Sequence, residues 1–268
     1  MSLVESTAPR TYGRVPSYGP DYCSICYTDA LRDADVVQLL CGHAFHLDCT
    51  RKLLEHKFVS HRLTFHFLLC PLCKAPIENP ALDPVLAPLK ALRDDVRRKA
   101  KTRLIFEGLD KSTDIVSPSG RFYNKPAEFA MEHYAYYMCF KCKQPYFGGA
   151  AQCEGAVWDH DVKAEELICP ACVGPEQVQT CSKHGTDYIA FKCRYCCSYA
   201  VYFCFSTTHF CEMCHSNNAV VTTAPPHLCP TGPLGKHLPG GCPLGGKHAP
   251  NGVEHAFGCA MCANLSSF

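Results

Sequence analysis

Cysteine and histidine are the residues whose number and spacing stand out in this chain. There are 22 cysteines and 14 histidines among 268 residues, and many of the cysteines form pairs separated by two residues. That spacing lets two thiolates hold one tetrahedral ion, so the pattern favours zinc ligation. A thiolate that zinc does not use is also a good nucleophile. Each cysteine is therefore either a predicted metal ligand or a possible nucleophile.

A disulfide framework is the other common use of so many cysteines. The first residues, MSLVESTAPRTYG, contain no apolar stretch typical of a secretory signal, and histidine has no role in a disulfide framework. We therefore expect zinc and a reducing compartment, the cytoplasm or the nucleus. No apolar run approaches the roughly 18 residues of a membrane span, so no membrane partner is expected. The net charge of +1 forces no basic face, so nucleic acid is not an expected partner either.

The first eight ligands of the chain follow a fixed order with very short spacings. Four consecutive ligands separated by one or two residues cannot easily surround one ion, whereas an interleaved arrangement can. One interleaved set is Cys23, Cys26, His46 and Cys49, and the other is Cys41, His43, Cys70 and Cys73. This order resembles a RING domain of the H2 subtype at every ligand position.

The RING resemblance implies that a ubiquitin-conjugating enzyme (E2) loaded with ubiquitin binds a shallow apolar groove. The matching residues are Ile25, Pro71 and Leu72; the alternative is that they only pack beside zinc. Many RING ligases place an arginine after the last ligand to bridge E2 and ubiquitin, and this chain has Lys74 there. Because lysine cannot make the planar paired hydrogen bonds of arginine, Lys74 favours delivery of ubiquitin to a thiol over direct attack by a lysine.

Four segments are expected to position these residues. Residues 1–20 are predicted to be flexible, 21–78 to form the RING-H2 domain, 79–118 to form a helical linker, and 119–268 to form a second cysteine-rich domain. The predicted fold class is a small zinc-stabilised α+β fold. It combines a cross-brace RING, a linker helix and a multi-zinc domain.

Apolar residues recur at helical spacing in the linker, opposite a charged face: Leu86, Leu89, Leu92, Val96 and Ala100. Pro84 and Pro88 are predicted to mark the start of this helix, since proline is tolerated in a first turn. Gly108 is a predicted C-cap. A second helix is predicted from Pro126 through the letters AEFAMEHYAYY, with Asn124 as its N-cap.

The second cysteine-rich domain has enough paired ligands for three zinc ions. The pairs are Cys139/Cys142, Cys169/Cys172, Cys181/His184, Cys193/Cys196, Cys211/Cys214 and Cys259/Cys262, and spacing leaves open how they combine. A fourth ion would use Cys197, Cys229, Cys242 and one histidine, with His248 preferred and His227 as its competitor. The prediction is two zinc ions in the RING and about four in this domain.

Two cysteines, Cys153 and Cys204, remain after this count. Cys153 follows FGGAAQ, whose small residues predict a mobile loop. Cys204 lies in AVYFCF, which predicts a buried strand. The letters STTHF after it predict a turn, including Thr207 and Thr208, that places hydroxyls and an imidazole near the thiol. The alternatives are an unused loop thiol at Cys153 and a small core residue at Cys204.

Longer motifs carry a family resemblance. FGGAAQC, EELIC, CSKHGTDY, CRYCCS and CFSTTHFCEMCH, behind a RING-H2 and a charged helix, resemble the C-terminal region of the PHR (Pam/Highwire) ligases from about residue 21 onward. Such members are described as RING-Cys-relay ligases with a tandem-cysteine domain. The resemblance implies that ubiquitin passes from E2 to Cys153, then to Cys204, and finally to a substrate threonine or serine hydroxyl as an ester, with threonine preferred.

The resemblance also implies roles for residues near the second cysteine. Glu166 and His215 match a general base, and Phe205 and Phe210 match aromatic residues that shape a pocket for the threonine methyl group. A third aromatic position of the family falls on Asn218, which departs from the pattern. From the residues alone, Glu166 would be a surface charge and His215 a possible zinc ligand.

Two other functions compete with the relay. One is an ordinary RING ligase whose second domain only binds substrate, and the other is a zinc scaffold without catalysis. The residues alone favour the ordinary ligase, and the family motifs reverse that order. The expected partners are a ubiquitin-loaded E2, ubiquitin and a protein substrate with a threonine or serine hydroxyl.

Overall fold

The computed structural model describes residues 11–12, 22–56, 61–150, 163–173, 181–204 and 208–263. The chain divides into two compact units, Met1–Asp94 and Asp95–Phe268. Both combine short helices with small sheets around cysteine clusters, which confirms the predicted zinc-stabilised α+β class. Of the predicted site residues, Cys153 and Phe205 lie outside the described residues, as does Thr207.

The first unit is built on one small sheet. Its strands are β1 (Thr11–Tyr12), β2 (Val36–Gln38) and β3 (Ala44–His46), followed by helix α1 (Leu47–His56). Strand β1 pairs in parallel with β2, and β2 pairs antiparallel with β3. Thr11 and Tyr12 of the segment predicted to be flexible thus pair with the edge of β2, and the flexibility of residues 1–20 stays a prediction.

The core of this unit combines a few large apolar side chains with cysteines. Phe45, Leu54, Ile77 and Leu82 are almost completely buried, and the ligand cysteine Cys23 is buried with them. Three short 3₁₀ helices connect the elements: Leu31–Asp33, His66–Leu68 and Pro80–Leu82. So small an apolar core needs cross-links or metal to be stable.

The predicted linker helix is present as α2, Asp83–Phe106. Pro84 lies in its first turn as expected, but Pro88 lies inside the helix and does not mark its start. Gly108 has a φ of 74°, the left-handed conformation that ends a helix after its last turn. Within the described part of the chain, no helix has both the length and the apolar character needed to cross a membrane.

The second predicted helix is shorter than the sequence suggested. Helix α3 (Thr113–Val116) precedes α4, which covers Pro126–His133, and the letters YAYYM form strand β4 (Tyr134–Met138) instead. Tyr134 and Tyr136 are buried in β4. Aromatic residues pack well on a pleated, half-buried surface, which explains why these residues form a strand and not a continuation of helix α4. Asn124 has a φ of 56°, and the N-cap position belongs to Lys125.

The remaining elements of the second unit are short. They are β5 (Pro145–Ala150), α5 (Pro170–Val173), β6 (Ile189–Phe191), β7 (Tyr202–Cys204), β8 (Thr208–Phe210), α6 (Glu212–Ser216), α7 (Asn218–Val221) and β9 (Ala256–Cys259). Further 3₁₀ turns cover Leu109–Lys111, Ala164–Glu166 and Pro233–Gly235. The strands form three two-stranded antiparallel sheets, β4–β5, β6–β9 and β7–β8. Isolated two-stranded ribbons are marginal in water, so the cysteine clusters between them must supply stability.

Candidate functional site

The first unit brings its eight cysteine and histidine ligands into two clusters. One is Cys23, Cys26, His46 and Cys49, and the other is Cys41, His43, Cys70 and Cys73. The ligand atoms of each cluster all lie within 4.8 Å of one another. The interleaved pairing predicted from the spacing is therefore the pairing that the fold produces.

The imidazole orientations suit metal ligation. The Nε2 atom of His46 lies 2.9 Å from the carbonyl oxygen of Ala30, and its Nδ1 atom lies 3.7 Å from Cys26 Sγ. In the other cluster, His43 Nδ1 lies 3.5 Å from Cys41 Sγ. A carbonyl that accepts the proton of one ring nitrogen leaves the other nitrogen to bind metal, so Nδ1 is the atom of His46 that would bind an ion.

The predicted E2 groove is partly exposed. Ile25 is half-buried and packs against the core, Pro71 is half-buried, and Leu72 is 45% exposed. Lys74 donates a hydrogen bond from Nζ to the carbonyl oxygen of Pro71 at 3.0 Å. The ammonium group thus bonds within its own loop, and E2 contact by the three apolar residues stays a prediction.

The second unit contains three complete clusters of four ligands. They are Cys139, Cys142, Cys169 and Cys172; Cys181, His184, Cys259 and Cys262; and Cys193, Cys196, Cys211 and Cys214. The spacing of the cysteine pairs left open which pairs share a cluster, and the structure shows how they combine. The pair at Cys181 joins a pair far along the chain because β6 pairs with β9, whose last residue is Cys259.

A fourth group forms around His248. Its Nε2 atom lies 3.2 Å from Cys242 Sγ and 3.7 Å from Cys229 Sγ. Hydrogen bonding with Cys197 raises the pKa of the Cys229 thiol to about 12, which places Cys197 in the same group. Of the two histidines considered from the sequence, His248 is the one that reaches these thiols.

The chemistry of these donor sets fits zinc. Thiolate sulfur and imidazole nitrogen in sets of four are the ligands of structural tetrahedral zinc sites. Backbone N–H groups donate to ligand sulfurs, from His46 to Cys23 at 3.4 Å and from Cys169 to Cys139 at 3.2 Å. Such bonds stabilise the thiolate form that a metal ion needs. The number of ions and the role of each ligand stay predictions.

Cys204 ends strand β7, as the sequence predicted, and is 9% exposed. It lies directly opposite Thr208 in β8, and Tyr202 lies opposite Phe210. Because paired residues and alternate residues share a face of a ribbon, these four side chains lie on one face. Phe210 is fully buried and stacks on Tyr195 at a centroid distance of 5.4 Å.

His215 lies on the same face as Cys204. Its ring stacks on Tyr202 at a centroid distance of 4.1 Å and meets the edge of Phe210 at 6.1 Å. Four cysteine sulfurs already complete the neighbouring cluster that includes Cys214, so His215 is not needed there as a ligand. Burial lowers the pKa of His215 and favours the neutral imidazole, which can accept a proton.

Strand β5 packs very closely on β7. Gly149 has a φ of 116°, and a Cβ atom at this position would lie 2.9 Å from Cδ1 of Tyr202. Only glycine permits both this conformation and this approach. Cys153 itself lies outside the described residues, but it follows Gly149 by four positions. The backbone that leads to the first predicted thiol is therefore pressed against the strand that carries the second.

Glu166 ends a short 3₁₀ turn and is exposed. The segment after it is anchored, because the Leu167 carbonyl oxygen accepts a hydrogen bond from the Phe140 N–H at 2.7 Å. Ile168 belongs to the apolar cluster that also contains Phe203, the residue before Cys204. The fold thus holds the Glu166 segment beside β7, and the catalytic role of Glu166 stays a prediction.

The imidazole expected near the Cys204 thiol, His209, lies on the opposite face of the ribbon, because it is paired with Phe203. Its Nδ1 atom lies 2.6 Å from a carboxylate oxygen of Glu254, and its ring stacks between Phe191 and Phe203 at centroid distances of 3.7 and 4.3 Å. Burial lowers the pKa of His209, although Glu254 opposes this. The expectation that this imidazole faces the thiol is therefore wrong.

The pair of His209 and Glu254 was missed by sequence reasoning because 45 positions separate the two residues. His209 borders a cavity of about 780 Å³, which is also lined by Arg103 and Phe147. Tyr202 and Phe203 of β7 both line this cavity, whereas Cys204 does not.

Thr208 is also not a turn residue, since it lies in β8 and is 5% exposed. Its hydroxyl accepts a hydrogen bond from Nη1 of Arg194 at 3.4 Å. The backbone N–H of Arg194 donates to the His209 carbonyl oxygen at 2.8 Å, and its Nε donates to the Gly252 carbonyl oxygen at 2.9 Å. Arg194 therefore holds β8 in place opposite Cys204.

Two family models match the chain. A Ring finger domain model matches residues 21–74, which contain both clusters of the first unit. A Trm112p-like protein model matches residues 61–173, which end just after the cluster that includes Cys172.

Two curated relatives align with nearly the whole chain. E3 ubiquitin-protein ligase MYCBP2 of Danio rerio is 52% identical over 254 residues, which is 92% of this chain and 6% of that protein. E3 ubiquitin-protein ligase highwire of Drosophila melanogaster is 44% identical over 252 residues, 92% of this chain and 5% of that protein. The chain spans only a small part of the length of the relatives it matches. Together with the RING and the cysteine clusters, these identities confirm that the chain belongs with the RING-containing region of the PHR (Pam/Highwire) ligases.

Proposed function

We propose that this chain is an E3 ubiquitin ligase module that carries ubiquitin on Cys153, relays it to Cys204 and transfers it to a substrate hydroxyl, with threonine preferred. The observation that carries the proposal is the convergence on β7. Strand β5 packs on Tyr202, the cluster after Glu166 packs on Phe203, and His215 stacks on Tyr202. Both relatives are named E3 ubiquitin-protein ligases, which supports the overall activity.

The first step is recruitment of a ubiquitin-loaded E2 by the RING, over residues 21–78. Its apolar groove would consist of Ile25, Pro71 and Leu72, on loops that the two cysteine clusters hold in place. Bound zinc would supply only structural cross-links there. Lys74 bonds to the Pro71 carbonyl oxygen and cannot form the paired contact of an arginine, which supports transfer to a thiol.

The second step is transfer between thiols. The attacking thiolate adds to the thioester carbonyl carbon, a new C–S bond forms, and the departing thiolate keeps the electron pair of the old C–S bond. One thioester replaces another, so little free energy is lost. Four residues of extended chain reach about 14 Å, and Gly149 touches Tyr202. A chain that turns back after Gly149 can therefore bring Cys153 to Cys204.

The third step needs a base, because a hydroxyl is almost fully protonated near neutral pH. His215 is buried enough to favour the neutral imidazole and shares the face of Cys204. As the hydroxyl oxygen forms a C–O bond to the carbonyl carbon, its proton passes to His215 and the C–S bond to Cys204 breaks. Glu166 would orient or assist the imidazole, and Phe205 and Phe210 would contact the threonine methyl group.

One observation favours the ordinary RING ligase with a non-catalytic second domain. Cys204 is 9% exposed and packs with Cys193, Phe210 and Val221, as a small core residue would. In that case lysine is the acceptor, and the second domain only binds substrate. The two functions differ in whether a covalent ubiquitin adduct forms on this chain.

The test uses the chain with E1, a ubiquitin-loaded E2 and peptides that contain either threonine or lysine. The relay predicts an adduct of ubiquitin with the chain that a reducing agent removes, and hydroxylamine-sensitive modification of the threonine peptide. Cys153→Ser and Cys204→Ser should each abolish transfer to threonine, and Cys204→Ser should still load ubiquitin on Cys153. Full threonine activity in both variants would overturn the relay, and lysine modification alone would support the ordinary ligase.

A further inference from the structure

Lys192 is a completely buried lysine, with 0% of its surface exposed. It directly follows β6 and precedes the ligand cysteine Cys193. Its backbone N–H donates to the carbonyl oxygen of His255 at 2.9 Å, so the residue is fixed at both its backbone and its side chain. The proposed ubiquitin relay does not use the side chain of Lys192.

Among the described residues, the hydrogen-bond partner of the Lys192 ammonium group is a neutral carbonyl oxygen. Its Nζ atom donates to the carbonyl oxygen of Cys193 at 2.7 Å, and no carboxylate among the described residues forms an ion pair with it within 4.0 Å. Moving an ammonium group from water into a protein interior, without an opposite charge beside it, costs on the order of several kcal/mol of free energy. We therefore expect negatively charged groups around a lysine that is buried in its charged form.

The negative charge comes from the loop that Lys192 begins. The Cys193 N–H donates to the Ser198 carbonyl oxygen at 2.8 Å, and Lys192 pairs with Tyr199 across the loop. Cys196 and Cys197 are adjacent in this loop but belong to different clusters. Cys196 Sγ lies 3.6 Å from Cys211 Sγ, whereas Cys197 joins the group around His248. Lys192 thus lies at the start of a loop that supplies cysteine ligands to two metal clusters.

The loop that Lys192 begins holds members of both clusters close to it. Cys193 and Cys196 belong to one cluster, and Cys197, five positions after Lys192, belongs to the other. The Thr231 N–H donates to Cys197 Sγ at 3.4 Å, two positions after Cys229, and ties this loop to the second cluster. No other lysine among the described residues is completely buried.

The formal charges of the two clusters need such a cation. Zinc with four thiolates carries a formal charge of about −2, and zinc with three thiolates and a neutral imidazole about −1. Metal binding replaces neutral thiols by this anionic complex and releases protons. A fixed positive charge nearby stabilises the metal-bound form over the metal-free thiols.

We propose that Lys192 is the shared counter-charge of the two adjacent zinc centres, one formed by Cys193, Cys196, Cys211 and Cys214 and the other by Cys197, Cys229, Cys242 and His248. Since one cation serves both, its positive charge offsets part of the negative charge of each centre and helps each to hold its zinc. This role is independent of the ubiquitin relay. It concerns metal retention, and its test does not measure ligase activity.

The first test removes the charge. Lys192→Met keeps the length and the apolar stem, and Lys192→Arg keeps the charge. The matched control is Lys141→Met, because Lys141 is exposed and also donates from Nζ to the carbonyl oxygen of a ligand cysteine, Cys172, at 3.3 Å. Zinc transfer to a chromophoric chelator is followed for each protein, and alkylation of released cysteines, located by mass spectrometry, identifies the emptied cluster.

We expect Lys192→Met to release zinc from these two clusters about 10–100-fold more readily, the range for groups that support metal ligands. The other clusters and the Lys141→Met protein should behave as the wild type does, and Lys192→Arg should recover most of the retention. Unchanged release in Lys192→Met would overturn the proposal. So would equal acceleration at every cluster, which would indicate general unfolding.

The second test compares folded proteins directly. Native mass spectrometry of the wild-type, Lys192→Met and Lys192→Arg chains during titration with the same chelator counts the ions that each folded protein retains. Alkylation should reach Cys196 and Cys197 at a lower chelator concentration in Lys192→Met than in the other two. Equal chelator concentrations in all three would show that the charge of Lys192 does not stabilise the two centres.

Discussion

At the scale of the residue, the ribbon of β7 and β8 separates two imidazoles with different surroundings. His215 faces the Cys204 side and stacks on Tyr202, whereas His209 faces away and is held by Glu254 at 2.6 Å. Both rings have a pKa lowered by burial. Of these two imidazoles only His215 shares a face with the thiol, so it is the better candidate for the general base that the proposed transfer from Cys204 needs.

The first prediction concerns His215→Gln. Loss of the base should slow transfer from Cys204 to threonine by about 100- to 10,000-fold, whereas loading of Cys204 should remain. The measurement is a single-turnover assay that starts from the chain already loaded with ubiquitin. His56→Gln, at an exposed position in α1, is the control. A variant that loads and discharges at the wild-type rate would exclude His215 as the base.

Individual residues also show which features of the site could be predicted from the sequence. Ligand identity and the cross-brace order of Cys23 to Cys73 followed from spacing, because tetrahedral ligation restricts which neighbours share an ion. The burial of Cys204 followed from its apolar flanks. The contact between His209 and Glu254 could not be predicted, because it depends on how the segment before β9 returns to β8.

At the scale of the element, local pattern and tertiary packing compete. The pattern of α2 predicted its helix well because the apolar spacing extends over many turns. The letters YAYY were assigned to a helix, yet together with Met138 they pair with β5 as strand β4. Their neighbours in space decide the outcome, since strand preference reflects packing on a sheet more than the residues themselves.

The second prediction concerns the approach of β5 to β7. Gly149→Ala places a methyl group 2.9 Å from the Tyr202 ring at a φ of 116°, which costs about 1–3 kcal/mol in backbone strain alone. We expect E2-dependent loading of Cys153 to persist and transfer to Cys204 to fall. Peptide mapping by mass spectrometry locates ubiquitin on the two cysteines.

Gly108→Ala is the matched control for this prediction. Gly108 also has a positive φ, of 74°, but a Cβ atom there meets nothing within 4 Å. The Gly108→Ala substitution therefore introduces backbone strain without a new contact at β7. If Gly149→Ala and Gly108→Ala transfer ubiquitin between the thiols equally well, the close packing of β5 on β7 does not guide the relay.

At the scale of the whole molecule, metal clusters replace a large apolar core. The C-terminal part illustrates this, because residues 229–262 contain little regular structure apart from the 3₁₀ turn Pro233–Gly235 and β9. Composition alone would predict disorder for such a glycine- and proline-rich segment. His248 instead contacts Cys229 and Cys242 within this segment, and the Thr231 N–H donates to Cys197 Sγ. Cys259 and Cys262 contact His184.

The last prediction follows from that dependence. The chain should contain about six zinc ions, one for each cluster of four ligands, and removal of zinc should abolish amide-exchange protection over residues 229–262. Structure that exists only with its ligands bound is lost when they are removed, because binding and folding free energy are then the same quantity. EDTA already saturated with zinc serves as the control, since it adds the chelator without removing metal. A chain with only four zinc ions would leave further cysteines besides Cys153 and Cys204 without a metal ion, and it would contradict the division of cysteines into ligands and nucleophiles. Protection that survives complete zinc removal would show that the segment folds by packing alone.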